Sequence, residues 1–335
     1  MSLHRSSLPL SQRVFQLLAD QQFHSGTQLA AACGVSRSAI WKATAVLRAL
    51  GVTVHAVSHR GYRLPLATSP LETLHIQSAL PAQVAARLRR GAALWSTTST
   101  NADLLTQADL PPGRFDFLTA EYQSAGRGRR TRSWIAPPGG AICLSVSWSF
   151  ESLPPAIGTL SLAMGVCVLR ALARAGVTGA ALKWPNDLVA GAAKLGGILS
   201  ELRAESGGPA FVVLGIGLNV ALGAPVRKQI EATGTKAADL AGLGFDPHDR
   251  NALVAALIAA VIEGFLQFER KGFSAFAHEW HAADALLGKR VRVSADSGSV
   301  DGHARGIDLE GALCLHTRDG LQRFVTGDVS VRAIA

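Results

Sequence analysis

The 335-residue chain has four cysteines, two methionines, two tyrosines and only 6% aromatic residues. Cys33, Cys143, Cys167 and Cys314 lie far apart and form no C-x-x-C pair, which excludes a zinc ribbon and a disulfide framework and leaves reduced, mostly buried thiols. No uninterrupted apolar run approaches the roughly 18 residues of a membrane span, and the first residues lack the apolar stretch of a signal peptide. The expectation is a cytoplasmic protein without membrane association. Absence of H-E-x-x-H, of a Walker loop and of a nucleophile elbow removes the chemistry of metalloproteases, P-loop NTPases and serine hydrolases. Acid is scarce at the front: Met1 to Leu66 holds seven basic residues and one acid, Asp20, so +6 of the formal +9 sits there. A basic first segment on a near-neutral body points to a polyanion partner.

What is present is ample apolar material, 48% of the residues, enough for two or three domains with real cores. Ser11–Leu18 reads as a short helix. A second helix follows, capped by Ser25 or Thr27 and broken at Gly34, and Ser36 caps a third. In that third helix Ile40, Ala43, Thr44, Leu47 and Leu50 form the core stripe, leaving Ser38, Lys42, Ala45 and Ala49 outward, with Arg37, Trp41 and Arg48 on the flanks. Val52–Val57 and the basic S-H-R-G-Y-R-L segment read as a hairpin tipped by His59-Arg60-Gly61. The whole is a winged helix-turn-helix, with Gln22 to Trp41 as the helix-turn-helix and Arg37, Ser38, Lys42, Arg48, Arg60 and Arg63 as candidate DNA contacts. A protein-contact role for the same fold stays open on these residues.

Domain boundaries are expected at 1–66, with a proline-bounded linker over 67–74, a central domain over 75–286 and a small domain over 287–335. Centrally, helical pattern at Leu74–Arg90, Ala156–Ala175 and Asn251–Phe268 mixes with β-rich runs at Phe117–Tyr122, Ile142–Phe150 and Phe211–Ile216, an α+β pattern with a mixed sheet. Its most unusual stretch is Gln123 to Trp134, where Arg127, Arg129, Arg130 and Arg132 alternate with Gly126, Gly128 and Thr131. Guanidinium forks beside glycines suit phosphate or carboxylate oxygens and a loop that closes over a ligand. An RNA-binding run or a solvated loop fits the same composition. Downstream stand Lys183-Trp184-Pro185-Asn186-Asp187, Lys194-Leu195-Gly196-Gly197 and Gly215-Ile216-Gly217-Leu218-Asn219, the last compatible with a strand that another backbone approaches closely.

In this order, the arginine loop, K-W-P-N-D and K-L-G-G-I resemble the biotin protein ligase family, and the winged helix in front resembles its bifunctional bacterial form, ligase and biotin operon repressor in one. The resemblance covers essentially the whole chain. It extends to an SH3-like β-barrel from about Leu287, matched by strand-like runs at Arg290–Ser294, Ala304–Ile307, Leu313–Thr317 and Leu321–Val325. It implies formation of biotinyl-5′-adenylate from biotin and ATP with Mg²⁺, the metal arriving with the nucleotide rather than at a fixed protein site. It further implies transfer of biotin to a lysine of the biotin carboxyl carrier protein of acetyl-CoA carboxylase, operator DNA as second partner, and a homodimer when the adenylate is bound.

By position, the resemblance implies biotin contacts at Ser99, Thr100, Asn101 and Gln123, a ligand-ordered loop from Gly126 to Arg132 followed by Trp134, and carboxylate and phosphate contacts at Arg127 and Arg129. Lys194, with Gly197 beside it, corresponds to the biotin-carboxylate lysine, Asp187 to the aspartate near the acceptor lysine, Asn219 to the adenylate-site strand and Arg332 to a basic group from the last domain. The chain departs from the family at Thr98 (commonly Asp), Thr131 (commonly Gly), Ala193 (commonly basic) and Gln229–Leu240, which has no aromatic where relatives cover adenine with Trp. A lipoate–protein ligase and a non-catalytic biotin-sensing regulator are the alternatives; the arginine loop, K-W-P-N-D and Lys194 argue against both.

Overall fold

The computed structural model describes residues 8–66, 68–107, 109–204, 208–295, 298–325 and 330–334. The chain opens with α1 (Leu10–Leu18), α2 (Gly26–Cys33) and α3 (Arg37–Ala49). Ser25 caps α2 in a full capping box with Gln28, Gly34 ends it in the left-handed conformation (φ 64°), and Ser36 caps α3 by accepting from Ala39 N. Val14, Phe15, Leu18, Leu29, Ile40 and Leu47 make the core of this module. The hairpin β1 (His55–Val57) and β2 (Gly61–Arg63) forms the wing. Its tip is Ser58-His59-Arg60 rather than His59-Arg60-Gly61, because Gly61 already pairs with Val57.

The following helix is not the single element expected over Leu74–Arg90. The chain forms α4 (Thr73–Ser78), breaks before Pro81, forms α5 (Ala82–Ala85) and enters strand β3 (Leu88–Thr97). Proline cannot continue the hydrogen-bond ladder, and pairing of β3 with β4 draws Leu88 to Arg90 out of the helical pattern. Within the expected linker 67–74, Thr68 and Leu71 are buried, while Glu72 and Leu74 are exposed.

After α6 (Thr100–Leu105) come β4 (Phe115–Gln123), β5 (Ala141–Phe150), α7 (Leu160–Arg174), β6 (Ala180–Lys183), β7 (Asp187–Ala190), β8 (Ala193–Ala204) and β9 (Ala210–Asn219). The strands form one seven-stranded mixed sheet of order β3-β4-β5-β9-β8-β7-β6, parallel only between β3 and β4. Period-two patterning splits its central strands between two faces. Ile142, Leu144, Val146, Trp148 and Phe150 of β5 and Val212, Leu214, Ile216 and Leu218 of β9 enter the main core with α7 and with α9 (Arg250–Lys271), which follows α8 (Ala224–Glu231). Trp148 stacks on Phe265 at 5.6 Å. The opposite face carries Cys143 and Ser145 from β5 and Gly215, Gly217 and Asn219 from β9.

α7 and α9 correct the expectation about apolar length. The helical windows Ile157–Arg174 and Pro247–Lys271 are long and apolar enough to cross a membrane, yet 61% and 67% of them is buried inside the fold, as core helices require. After α10 (Ser274–Ala282) the chain ends in β10 (Arg290–Ala295), β11 (Gly298–Ile307), β12 (Leu313–Thr317), β13 (Gly320–Phe324) and β14 (Ser330–Ala333), a five-stranded antiparallel sheet of order β13-β12-β11-β10-β14. Trp184 Nε1 donates to Gly311 O (3.0 Å) and so ties this sheet to the central domain.

Candidate active site

A cavity of about 740 Å³ opens on the face of the mixed sheet away from α7 and α9. Sequence explains why it is hollow there. Along β9 the side chains on that face run Phe211, Val213, Gly215, Gly217, Asn219: the first two cover α6, then two glycines withdraw the wall. A Cβ on Gly215 would fall 2.4 Å from Asn101 Oδ1, and one on Gly217 would fall 2.6 Å from the Trp134 ring. The expected close approach to this strand is real, but side chains make it rather than another backbone.

One wall is a polar network. Gln123 Oε1 accepts from Thr100 N (2.8 Å) and Thr100 Oγ1 (3.1 Å). Ser145 Oγ bonds Thr100 Oγ1 (2.7 Å) and donates to Asn101 Oδ1 (2.5 Å), while Asn101 Nδ2 donates to Glu201 Oε2 (2.7 Å). Ser99 caps α6 by accepting from Ala102 N, which presents Thr100 and Asn101 to the cavity. The Asn101 amide is thus fixed in orientation by a donor on one side and a carboxylate on the other.

The arginine loop is closed on itself. Trp134 N donates to Gly126 O (2.8 Å), Gly128 N to Arg132 O (2.7 Å), and Arg127 pairs with Ser133 as an isolated bridge. Arg130 takes the left-handed conformation (φ 56°), so the backbone that favours glycine falls one residue before Thr131. Arg127, Gly128, Arg129, Arg132 and Trp134 line the cavity; Gly126 does not, and its part is to hold the base of the loop, where a Cβ would meet Trp134 O at 2.7 Å. Arg127 Nη2 lies 3.3 Å from Glu201 Oε1.

Opposite the loop, the hairpin of β6 and β7 places Asp187 across from Lys183, and β8 brings in Lys194. Lys194 Nζ donates to Asp187 Oδ1 (2.5 Å) and stands 6.0 Å from the Trp134 ring centroid. Gly197 lies beneath them both. Burial depresses the pKa of Lys183, helped by repulsion from Lys194, Arg332 and Arg132 and opposed by Asp187. Asn219 Nδ2 donates to Ala238 O (2.9 Å) and Lys194 O (3.3 Å), holding the start of β8 against the segment after α8. That segment, Thr233 to Lys236, forms a further wall with Ile230; β14 closes one end with Val331 and Arg332.

Among the described residues, eight lysine and arginine side chains line the cavity against one carboxylate, Asp187. Such a field holds an anion of several charges. Lys236, Ser145 and Glu201 were not singled out from the sequence, and Lys183 was read only as the first residue of K-W-P-N-D. Alternation of small polar residues along β5 marks Ser145; Glu201 has no local signal, because it meets Asn101 only through the sheet.

On the winged module, Ser38, Trp41 and Lys42 are exposed on one side of α3, Trp41 to 60%. Arg60 and Arg63 lie over the Phe23 ring at 4.2 and 4.8 Å. Arg48 is different: its guanidinium donates twice to Val54 O (3.0 and 3.3 Å), so it braces α3 against the wing. Arg37 is exposed beside them.

A winged helix ahead of a mixed sheet with a cation-lined pocket defines an anion-binding α+β domain joined to a helix-turn-helix module. Family models match each part: the biotin/lipoate A/B protein ligase family over residues 91–219, an HTH domain over 10–63 and the biotin protein ligase C-terminal domain over 286–332. The chain is 35% identical over 331 residues to the bifunctional ligase/repressor BirA of Escherichia coli, covering 98% of each. It is 39% identical over 240 residues to the biotin–[acetyl-CoA-carboxylase] ligase of Mycobacterium tuberculosis, covering 70% of this chain and 85% of that one. The solved biotin protein ligase from Aquifex aeolicus in complex with biotin and ATP superimposes with a TM-score of 0.60 at 26% identity, over 73% of this chain and all of that one. The chain belongs to the biotin protein ligase family, in its bifunctional ligase/repressor form.

Proposed function

We propose that this protein is an ATP-dependent biotin protein ligase that is also a biotin-responsive transcriptional repressor of biotin synthesis genes. The observation that carries the ligase half is the convergence of the arginine loop, Lys183, Lys194 and Arg332 on one cavity of about 740 Å³ whose described lining residues hold a single carboxylate. Attack of the biotin carboxylate on the α-phosphorus of ATP forms an acyl–phosphate bond and expels pyrophosphate. Two anions must meet for this, and the cations of the cavity offset their repulsion. Mg²⁺ bound with ATP supplies further charge neutralisation.

Arg127 and Arg129 take carboxylate and phosphate oxygens, and closure of Gly126 to Arg132 keeps water from the mixed anhydride. Lys194 exchanges Asp187 for the biotin carboxylate, while Ser99, Thr100, Asn101 and Gln123 hold the ureido ring and Trp134 and Gly197 the ligand body. Released from Lys194, Asp187 is free to take the proton of the acceptor ammonium, whose amine then attacks the acyl carbon and displaces AMP. Asn219 and Arg332 bound the nucleotide side, and aliphatic Ile230 covers what an aromatic covers in relatives. The acceptor is the biotin carboxyl carrier protein of acetyl-CoA carboxylase, and the cytoplasm is the place of action.

For the repressor half, Arg37, Ser38 and Lys42 read a major groove, with Arg60 and Arg63 on the flanking backbone. One small module makes few phosphate contacts, so a homodimer formed on adenylate binding engages two half-sites.

Pyrophosphate exchange into ATP with biotin, with lipoate and with neither tests the ligase half. Exchange with biotin alone is expected; lipoate-dependent exchange makes the protein a lipoate ligase, and none at all sinks both. Lys194→Ala is expected to lose exchange by a factor of about 100 or more while keeping its melting transition, since one charge-assisted contact to the reacting group contributes about 3 kcal/mol.

A further inference from the structure

Behind the sheet from the pocket, Arg250 at the start of α9 faces Glu121 of β4. The guanidinium is fully buried and the carboxylate nearly so. Arg250 Nη2 donates to Glu121 Oε2 (2.8 Å) and Nη1 to Oε1 (3.2 Å). A charge pair withdrawn from water needs further bonds to offset the lost hydration; here Arg250 Nε stays without a partner, and the bonds of the two Nη atoms and of the carboxylate go to segments far apart in sequence. Glu121 accepts from Leu71 N (2.7 Å) and Gly139 N (2.9 Å). Arg250 donates to Thr68 Oγ1 (3.2 Å), Ser69 O (2.9 Å) and Ala141 O (2.9 Å). Thr68 Oγ1 in turn donates to Gly139 O (3.2 Å).

These segments lead to the two working parts of the molecule. Thr68 to Leu71 is the chain leaving the winged module, and Gly139 sits against Phe15 of α1, where a Cβ would come within 2.9 Å of the ring. In the other direction, Glu121 stands two residues before Gln123, which holds Thr100 at the cavity. Ala141 opens β5, pairs with Asn219, and is followed by Cys143 in the cavity wall.

We propose that the Arg250–Glu121 pair is a positioning joint: by binding the exit of the winged module and the roots of β4 and β5 in one set of bonds, it couples occupancy of the pocket to the seating of the DNA-reading module. Neither group touches the cavity. The two-pronged guanidinium is essential to this, because a lysine ammonium cannot serve both carboxylate oxygens and three segment acceptors at once. This joint rests on the proposed ligase and repressor reading.

The test compares intact wild type, Arg250→Lys and Thr68→Val. It reads biotin KM and kcat in pyrophosphate exchange, and the ratio of affinities for the upstream DNA of the organism's biotin synthesis genes with and without biotin plus ATP. Arg250→Lys is expected to raise biotin KM at least fivefold with kcat within twofold, and to cut the affinity ratio at least fivefold. Thr68→Val removes only bonds at the module exit; it is expected to cut the ratio while leaving biotin KM within twofold. A folded Arg250→Lys with wild-type KM and ratio overturns the joint, as does one that lowers kcat alone. Should Arg250→Lys not fold, an unchanged ratio in Thr68→Val overturns it and a reduced one upholds it. Wild type without biotin-dependent exchange or DNA binding refutes the proposed function and the joint with it; a working wild type beside indifferent variants refutes the joint alone.

Discussion

Gly217 shows how one missing side chain makes a binding surface. Phe or Val at that position would satisfy the strand as well as Phe211 and Val213 do, but the indole of Trp134 occupies the space. Gly217→Ala forces the ring outward, into the cavity. Overpacking of this kind costs about 1–3 kcal/mol, and where the displaced group is the ligand's wall the cost falls on binding, so biotin KM in exchange should rise roughly 5- to 150-fold with the fold intact; steady-state kinetics beside a thermal melt checks both. The glycine pattern was legible in the sequence. Its cause was not, because Trp134 stands 83 positions away in numbering and only the sheet brings it near. Lys194 and Asp187 were likewise legible one by one, through the motifs that contain them. That they form an ion pair followed from the register of β7 on β8, which a bulge between Leu188 and Val189 shifts.

Elements whose signals are local were read well. Ser25, Gly34 and Ser36 bound α2 and α3 by capping chemistry, which needs no distant partner. Ser36→Ala removes the hydroxyl cap and leaves Ala39 N–H only the Ser36 carbonyl (3.1 Å), at about 1 kcal/mol; amides of α3 in the intact protein should exchange hydrogen about fivefold faster. Residues 74–90 failed as one continuous helix for the opposite reason, keeping only α4 and α5. Leu88 to Arg90, the end of the expected helix, instead begin the edge strand of the sheet because Phe115–Gln123 offers Leu88–Thr97 a parallel ladder, and β8, with its pair of glycines, is held between β7 and β9 by partners that no local pattern announces.

At the scale of the whole molecule, charge and the junctions between parts matter. DNA affinity carried by the basic first module should fall with salt along a log–log line of slope near −0.9 per phosphate neutralised, measurable by gel shift from low to physiological salt; insensitivity to salt would leave the wing as a protein contact. Asp284 lies between α10 and the last sheet. Burial raises its pKa, against the Leu286 N–H and the nearby His281 and Lys289. Below pH ~3.8, the ordinary value, folded and unfolded chains both hold the proton and the group is neutral to stability. Above it the unfolded chain ionises first, so stability is lost as pH rises through the folded value. Asp284→Asn keeps an acceptor for Leu286 N and should raise the melting temperature at pH 7 but not at pH 3.

The sequence by itself determined the winged module, the order of the ligase motifs and the identity of most cations at the pocket, because capping, turn chemistry and short charged motifs act over a few residues. Tertiary structure alone decided that Lys236 after α8 joins Arg332 of the last sheet and the arginine loop in one cavity. It alone buried Arg250 against Glu121. Those are contacts between residues up to two hundred positions apart, and their energy comes from desolvation and sheet register, which exist only once the chain has folded.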